Sequence, residues 1–153
     1  MRKDTTGSPV GNGSAADEQL FFNYQDFFKD DLSIALHSLE RLSANIFFDL
    51  ATLMRIRKDK LAEDIFDISP KTISRYKQQD KKLNPRDSET ALKLMALYHK
   101  GKEIFGNVDS FNNWLHKPAF GLGAREPYTL MGTLTGIDLI FDELVRIEFG
   151  DLA

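Results

Sequence analysis

The chain contains no cysteine, which excludes disulfides, a thiol nucleophile and cysteine-ligated zinc. That absence suits a reducing compartment. No apolar run approaches the roughly 20 residues needed to span a bilayer. The opening stretch MRKDTTGSPVGNGSAADE lacks the apolar segment of a secretory signal, so a soluble, cytoplasmic protein is expected. Histidine is sparse: the three, His37, His99 and His116, lie far apart and lack metal-ligand spacing. There is no nucleophile elbow and no phosphate-binding loop, and the acidic residues are scattered over helix faces. These absences argue against an enzyme, a metal and a cofactor. Alternating apolar and polar runs are missing too, so no strand is expected and the fold class is all-α.

What the chain does have is bulk for a core. It is 42% hydrophobic with 12 Phe, and its 153 residues fit one compact domain or two small helical modules sharing a core. Net charge is −3, which does not advertise a nucleic-acid partner. The distribution is uneven, however: from Arg55 to Arg86 there are ten basic side chains against five acidic ones. A basic segment inside an acidic protein fits a footprint for phosphates. Charge alone fits a solvated helix face at least as well.

Residues 1–18 are rich in Gly, Ser, Thr, Asn and Asp and read as a flexible arm, because they have little apolar surface to offset the cost of ordering. The aromatic segment from Leu20 to Phe28 is expected to pack on the domain. Leu32, Leu36, Leu39 and Leu42 recur at helical spacing and read as one buried face. Further helices are expected around Phe47 to Met54, over Lys60 to Phe66, and from Ser69-Pro70, where Ser caps and Pro opens the first turn. A longer one follows Pro85, started by Asn84 or by Asp87-Ser88, with Gly101 and Gly106 punctuating its far end. Short helices near Ser110–His116 and Tyr128–Gly132 flank a loop from Lys117 to Pro127. A last helix runs from Gly136 to Glu148. The expected division is an arm (1–18), a helix-turn-helix domain (19–100) and a C-terminal domain (101–153).

Residues Leu61 to Gln79, LAEDIFDISPKTISRYKQQ, resemble a helix-turn-helix of the Xre type. Leu61, Ala62 and Ile65 would face inward and Ile68 would anchor the turn. Asp67 takes the place often held by Gly, and it tolerates left-handed backbone better than most residues. The recognition helix, Pro70 to about Gln79, would point Ile73 inward. The candidate DNA-binding residues are Ser69, Lys71, Thr72, Ser74, Arg75, Lys77, Gln78, Lys81 and Lys82. Lys71, Thr72 and Arg75 stand where base contacts begin, and Gln78 offers a base-edge donor and acceptor. Arg75, Lys77, Lys81 and Lys82 suit phosphates, which position without specifying.

The last third carries the most specific signal. Its landmarks are Phe105-Gly106, Trp114-Leu115 with Pro118, Gly121-Leu122-Gly123, Pro127, Gly136 and the closing Leu144-x-Arg146-Ile147-Glu148-x-Gly150. Read alone, Phe111, Trp114 and Leu115 are core residues and Gly121–Pro127 a surface loop. Leu139, Ile140, Leu144 and Ile147, widened by Phe141, Val145 and Phe149, make the final helix apolar on most of its circumference. A helix of that kind has more than one partner. Taken in order, these landmarks resemble the toxin-binding region of the Xre/MbcA/ParS-like antitoxins. The chain departs from that family where Gly121-Leu122-Gly123-Ala124 replaces Ala-Leu-Gly-Gly, and where Phe149-Gly150-Asp151 replaces His-Gly-Val.

The resemblance implies a partner, a RES-domain toxin that consumes NAD, and an operator DNA in the chain's own operon. It implies a toxin-binding set of Leu122, Arg125, Glu143, Arg146, Ile147, Glu148, Gly150 and Asp151, with a tail through Leu152 and Ala153 that enters the toxin's NAD pocket. A homodimer is expected from paired DNA half-sites. Two other readings stand beside this one. One is a stand-alone helix-turn-helix regulator whose C-terminal region only dimerises or senses a ligand; the other is an interaction adaptor without DNA binding.

Overall fold

The computed structural model describes residues 8–150. Among them are eight α-helices and no strand, only the isolated bridges Ser43–Lys82 and Ala119–Arg125. The order is α1 (Ser8–Phe28), α2 (Asp31–Glu40), α3 (Asn45–Met54), α4 (Lys58–Leu61) running on as a π-turn (Ala62–Phe66), α5 (Pro70–Gln78), α6 (Pro85–Phe105), α7 (Val108–Leu115) and α8 (Leu134–Glu148). Two 3-10 turns, Phe120–Leu122 and Pro127–Leu130, lie between α7 and α8.

Helix α6 organises the core. Asn84 starts it by accepting the Asp87 amide at 2.7 Å, Pro85 fits the first helical position, and Gly106 ends it at φ 94°. Its side chains Ala91, Leu92, Leu94, Met95, Leu97 and Tyr98 are almost wholly buried. Full burial of a large apolar side chain is worth roughly 1.5–3 kcal/mol, so this one helix supplies much of the stability. It packs against α1, α2, α3, α7 and α8. The expected boundary at residue 100 falls inside this continuous helix, so both halves share it. Gly101 does not punctuate its end: it lies within the helix, where an added Cβ would sit 2.4 Å from the Phe111 ring. The residue lets α7 come close.

Two further expectations are corrected. The arm was expected to reach Glu18, yet α1 is helical from Ser8, and Asp17 is buried on its inner side. Both carboxylate oxygens of Asp17 accept from Arg55 at 2.9 Å, a long-range ion pair that composition could not reveal. Residues 1–7 lie outside the described range. The second correction concerns α2. Leu42 is buried, but Leu32, Leu36 and Leu39 are 68%, 52% and 70% exposed, while Ile34 and Ser38 face inward. The rotation of α2 is set elsewhere. The Leu42 amide donates to Ser88 Oγ at 3.0 Å, Arg41 Nε donates to the Leu83 carbonyl at 2.9 Å, and His37 stacks on Phe27. These ties turn the leucine stripe to solvent.

Candidate DNA-reading and partner-protein surfaces

The helix-turn-helix forms where the sequence places it. Leu61, Ala62, Ile65 and Phe66 are buried, and the first helix closes with a π-turn rather than a plain α-turn. Asp67 adopts the left-handed conformation at φ 53°, the geometry for which Gly is common in such turns. Ile68 is half-buried against the core. Ser69 Oγ then caps α5 by accepting the Thr72 amide at 3.2 Å. Only Ile73 of α5 is buried, with Tyr76 half-buried and edge-on to Phe47. The helix is therefore held along one side and offers the other to solvent.

The expected DNA residues sort into three settings. Lys71, Ser74, Arg75 and Gln78 are exposed on the outer side of α5. Thr72, Arg75, Lys81 and Lys82 line a concavity of about 270 Å³ together with Tyr76. Within it Thr72 Oγ1 meets Ser69 Oγ at 3.0 Å and accepts from Arg75 Nη2 at 3.4 Å, so the two hydroxyls orient the guanidinium. Lys77 points elsewhere, toward Lys58. The close approach of the Lys77 ammonium and its like charge push the Lys58 ammonium below the usual lysine range. Arg57 and Lys58 thus join the candidates, having counted in the sequence only as members of a basic stretch. They rim a groove of about 870 Å³ floored by Phe48, Ala51, Ile56 and Ile73.

The C-terminal surface is built around a buried carboxylate. Glu143 is 4% exposed; its Oε2 accepts the Gly121 amide at 3.2 Å and its Oε1 accepts Arg146 Nε at 3.0 Å. An added Cβ at Gly121 would fall 1.9 Å from that carboxylate, so only glycine admits it. The Lys117–Pro127 loop is closed by Ala119 N–H donating to the Arg125 carbonyl at 2.9 Å and Ala124 N–H donating to the Ala119 carbonyl at 3.0 Å. Glu143 latches this loop to α8 and so fixes Phe120, which is 81% exposed. Leu139, Glu143 and Arg146 share one side of α8 at helical spacing, and Leu139 is 46% exposed. Phe149, at the end of the helix, is 79% exposed.

This geometry corrects two of the expected toxin-binding residues. Leu122 is buried and belongs to the core, and Glu143 is buried as a latch, so neither side chain is presented to a partner. Arg125, Arg146, Glu148 and Gly150 are exposed, and Ile147 is half-buried against the core. Glu148 pairs with Lys100 at 2.6 Å. Asp151 and the two residues after it lie outside the described residues. Phe111 and Leu115 are core residues as expected, with Trp114 half-buried beside Phe105 and Phe111. Sequence reasoning missed Phe120. An aromatic between Ala119 and Gly121 in a glycine-rich loop was its only signal.

The two surfaces are tied together. Tyr128 donates its hydroxyl to Asp64 Oδ2 at 2.8 Å, and Arg55 joins α1 to Asp109 of α7 at 3.2 Å. Burial, then the bond to Asp64, holds the Tyr128 phenol above its ordinary range. Among the described residues there is no cluster suited to a metal ion, and no helix is long and apolar enough to cross a membrane.

Comparison with known proteins fits this division. Residues 34–96 match the family model of the antitoxin Xre-like helix-turn-helix domain, and residues 100–150 match that of the antitoxin Xre/MbcA/ParS C-terminal toxin-binding domain. A protein named antitoxin Xre, from Yersinia enterocolitica serotype O:8 / biotype 1B, is 27% identical over 84 residues. That alignment covers 54% of this chain and 57% of the relative, a little over half of each.

Proposed function

Because the chain belongs to the Xre/MbcA/ParS antitoxin family, we propose that it neutralises a RES-domain, NAD-consuming toxin and represses its own operon. The pair is a type II toxin–antitoxin system acting in the cytoplasm. The observation that carries the reading is the latched face around Glu143, which lies within the segment similar to toxin-binding domains and holds Phe120 out of the protein.

On the DNA side, α5 lays Lys71, Ser74, Arg75 and Gln78 along base edges in the major groove. Lys58, Lys77, Lys81 and Lys82 hold phosphates on either side and set the register. Two copies address the two half-sites of an operator. On the toxin side, Phe120 and Leu139 fill an apolar recess, while Arg125 and Arg146 meet acidic or carbonyl groups at its rim. The end of α8, with Glu148, Phe149 and Gly150, leads the following residues, Asp151 first, toward the NAD pocket. The mechanism is occlusion, without chemistry of its own.

Co-expression tests this reading. Growth and NAD content of cells making the cognate toxin should be restored by the wild-type chain and not by Phe120→Asp, an exposed position where folding is unaffected. Equal rescue by both proteins would remove the latched face from the mechanism. Shortening the chain before Gly136 is a poorer test, because Ile137, Ile140 and Leu144 of α8 are core residues.

A further inference from the structure

We infer that the cleft between the two halves of the chain is a binding site for a small aromatic carboxylic acid. The inference needs neither a toxin nor an operator. The cleft encloses about 290 Å³, the scale of a site for a small metabolite. One wall runs from the end of α3 into α4, with Met54, Ile56, Arg57 and Lys60. The other is formed by Asn112 of α7, His116 just after it and Tyr128 of the second 3-10 turn. Tyr98 of α6 lines the cleft as well.

Hydrogen bonding identifies the head of the ligand. The Tyr98 hydroxyl donates to Asn112 Oδ1 at 2.6 Å, so the Asn112 Nδ2 hydrogens need another partner. That nitrogen is buried and has no hydrogen-bond partner among the described residues. A buried amide donor in this state is costly, and an acceptor brought by a ligand removes the cost. The neighbouring groups are donors too. Arg57 Nε donates to Asp59 Oδ1 at 3.1 Å and Lys60 Nζ meets Asp64 Oδ2 at 2.9 Å. Among the described residues this leaves both Nη groups of Arg57 and further hydrogens of Lys60, and no carboxylate lines the cleft. The site lacks an acceptor. A carboxylate brings two, one for the Arg57 fork and one for Asn112.

Charge limits the ligand to one negative group. Arg55, Arg57 and Lys60 line the cleft, but Asp17 and Asp109 hold Arg55, Asp59 holds Arg57 and Asp64 holds Lys60. That near balance disfavours a polyanion such as a nucleotide. The four carboxylates stand behind the cations, and Asp59 and Asp109, 66% and 63% exposed, are screened by solvent. A single carboxylate therefore meets donors first. The rest of the lining is apolar and aromatic. Met54 and Ile56 face a His116 ring that is itself exposed and stacks on Tyr128, with centroids 4.8 Å apart. A flat ring extends that stack, which a short aliphatic acid cannot do. Seated there, the acid touches the helix-turn-helix through Arg57 and the C-terminal half through Asn112 and His116, in parallel with the Tyr128–Asp64 tie.

Sodium benzoate titrated at constant ionic strength into the isotope-labelled full-length chain tests the site. The side-chain amide signals of Asn112 should shift saturably, and the melting temperature should rise with benzoate concentration. Arg57→Ala, at a side chain 77% exposed, should melt like wild type without benzoate and bind it at least about tenfold more weakly. Asn112→Asp keeps an acceptor for the Tyr98 hydroxyl, removes the donor and should abolish binding. Benzamide and acetate, which lack the charge and the ring in turn, should each bind at least about tenfold more weakly than benzoate. Benzamide as tight as benzoate would overturn the carboxylate. Acetate as tight would overturn the ring and point to an acidic side chain of a partner instead. No saturable shift, or equal binding by Arg57→Ala, would overturn the site itself.

Discussion

At Ala124 the backbone turns left-handed, φ 62°, where a Cβ is disfavoured. Three residues earlier, Gly121 leaves the gap that the Glu143 carboxylate enters. The loop thus places glycine where a neighbour needs the space and alanine where the backbone would prefer glycine. Ala124→Gly should raise stability by about 0.5–1 kcal/mol, read from denaturant midpoints, because relief of the left-handed strain outweighs the added chain entropy. Gly121→Ala should do the reverse and loosen the loop, exposing Glu143. Arg55 offers a second test at this scale. It serves the buried Asp17 carboxylate, whose hydrogen bonds hold the guanidinium above its ordinary range. Arg55→Ala leaves that carboxylate unpaired and should cost about 2 kcal/mol, less than for a fully buried pair because Arg55 is partly in solvent. The caps Ser69 and Asn84 and the left-handed Asp67 were legible in the sequence, since each acts within four residues of itself. Phe120 and Glu143 were not, because their meaning comes from a contact across 22 positions.

Helices were legible in kind and less so in orientation. Periodicity marks an apolar stripe, and for α5 and α6 the stripe is the buried one. On α2 it marks the outer face, because Arg41, Leu42 and His37 fix the rotation through contacts that no local pattern encodes. The same holds for α1, whose first turns were read as an arm for want of apolar side chains. Between elements, the Tyr128–Asp64 bond joins the 3-10 turn before α8 to the helix-turn-helix. Tyr128→Phe should cost roughly 1 kcal/mol at pH 7. The bond to Lys60, then that to Tyr128, holds the Asp64 carboxyl below the usual range. Its contribution is therefore full at neutral pH and lost as pH falls through that lowered value. The difference between wild type and Tyr128→Phe should shrink only below about pH 4, in paired thermal melts.

For the whole molecule, the net charge of −3 conceals a division of labour. The basic side chains gather on and around α5, where DNA attraction depends on released counterions. Arg75→Ala/Lys77→Ala should weaken operator binding by roughly tenfold or more, relax its sequence preference through Arg75 and lower the salt slope by about one through Lys77. A variant that binds as tightly as wild type at low salt would take α5 out of the DNA interface. The C-terminal face is the one proposed to meet the toxin, and the shared α6 together with the Tyr128 and Arg55 ties joins the two halves. The central claim is that this face silences a toxin. Its most direct measurement is NAD consumption by the purified cognate RES-domain toxin, titrated with wild-type chain and with Phe120→Asp. The account predicts stoichiometric inhibition by the wild type and at least about tenfold weaker inhibition by a variant that melts at the same temperature. Equal inhibition by the two proteins, or none by the wild type, would contradict it.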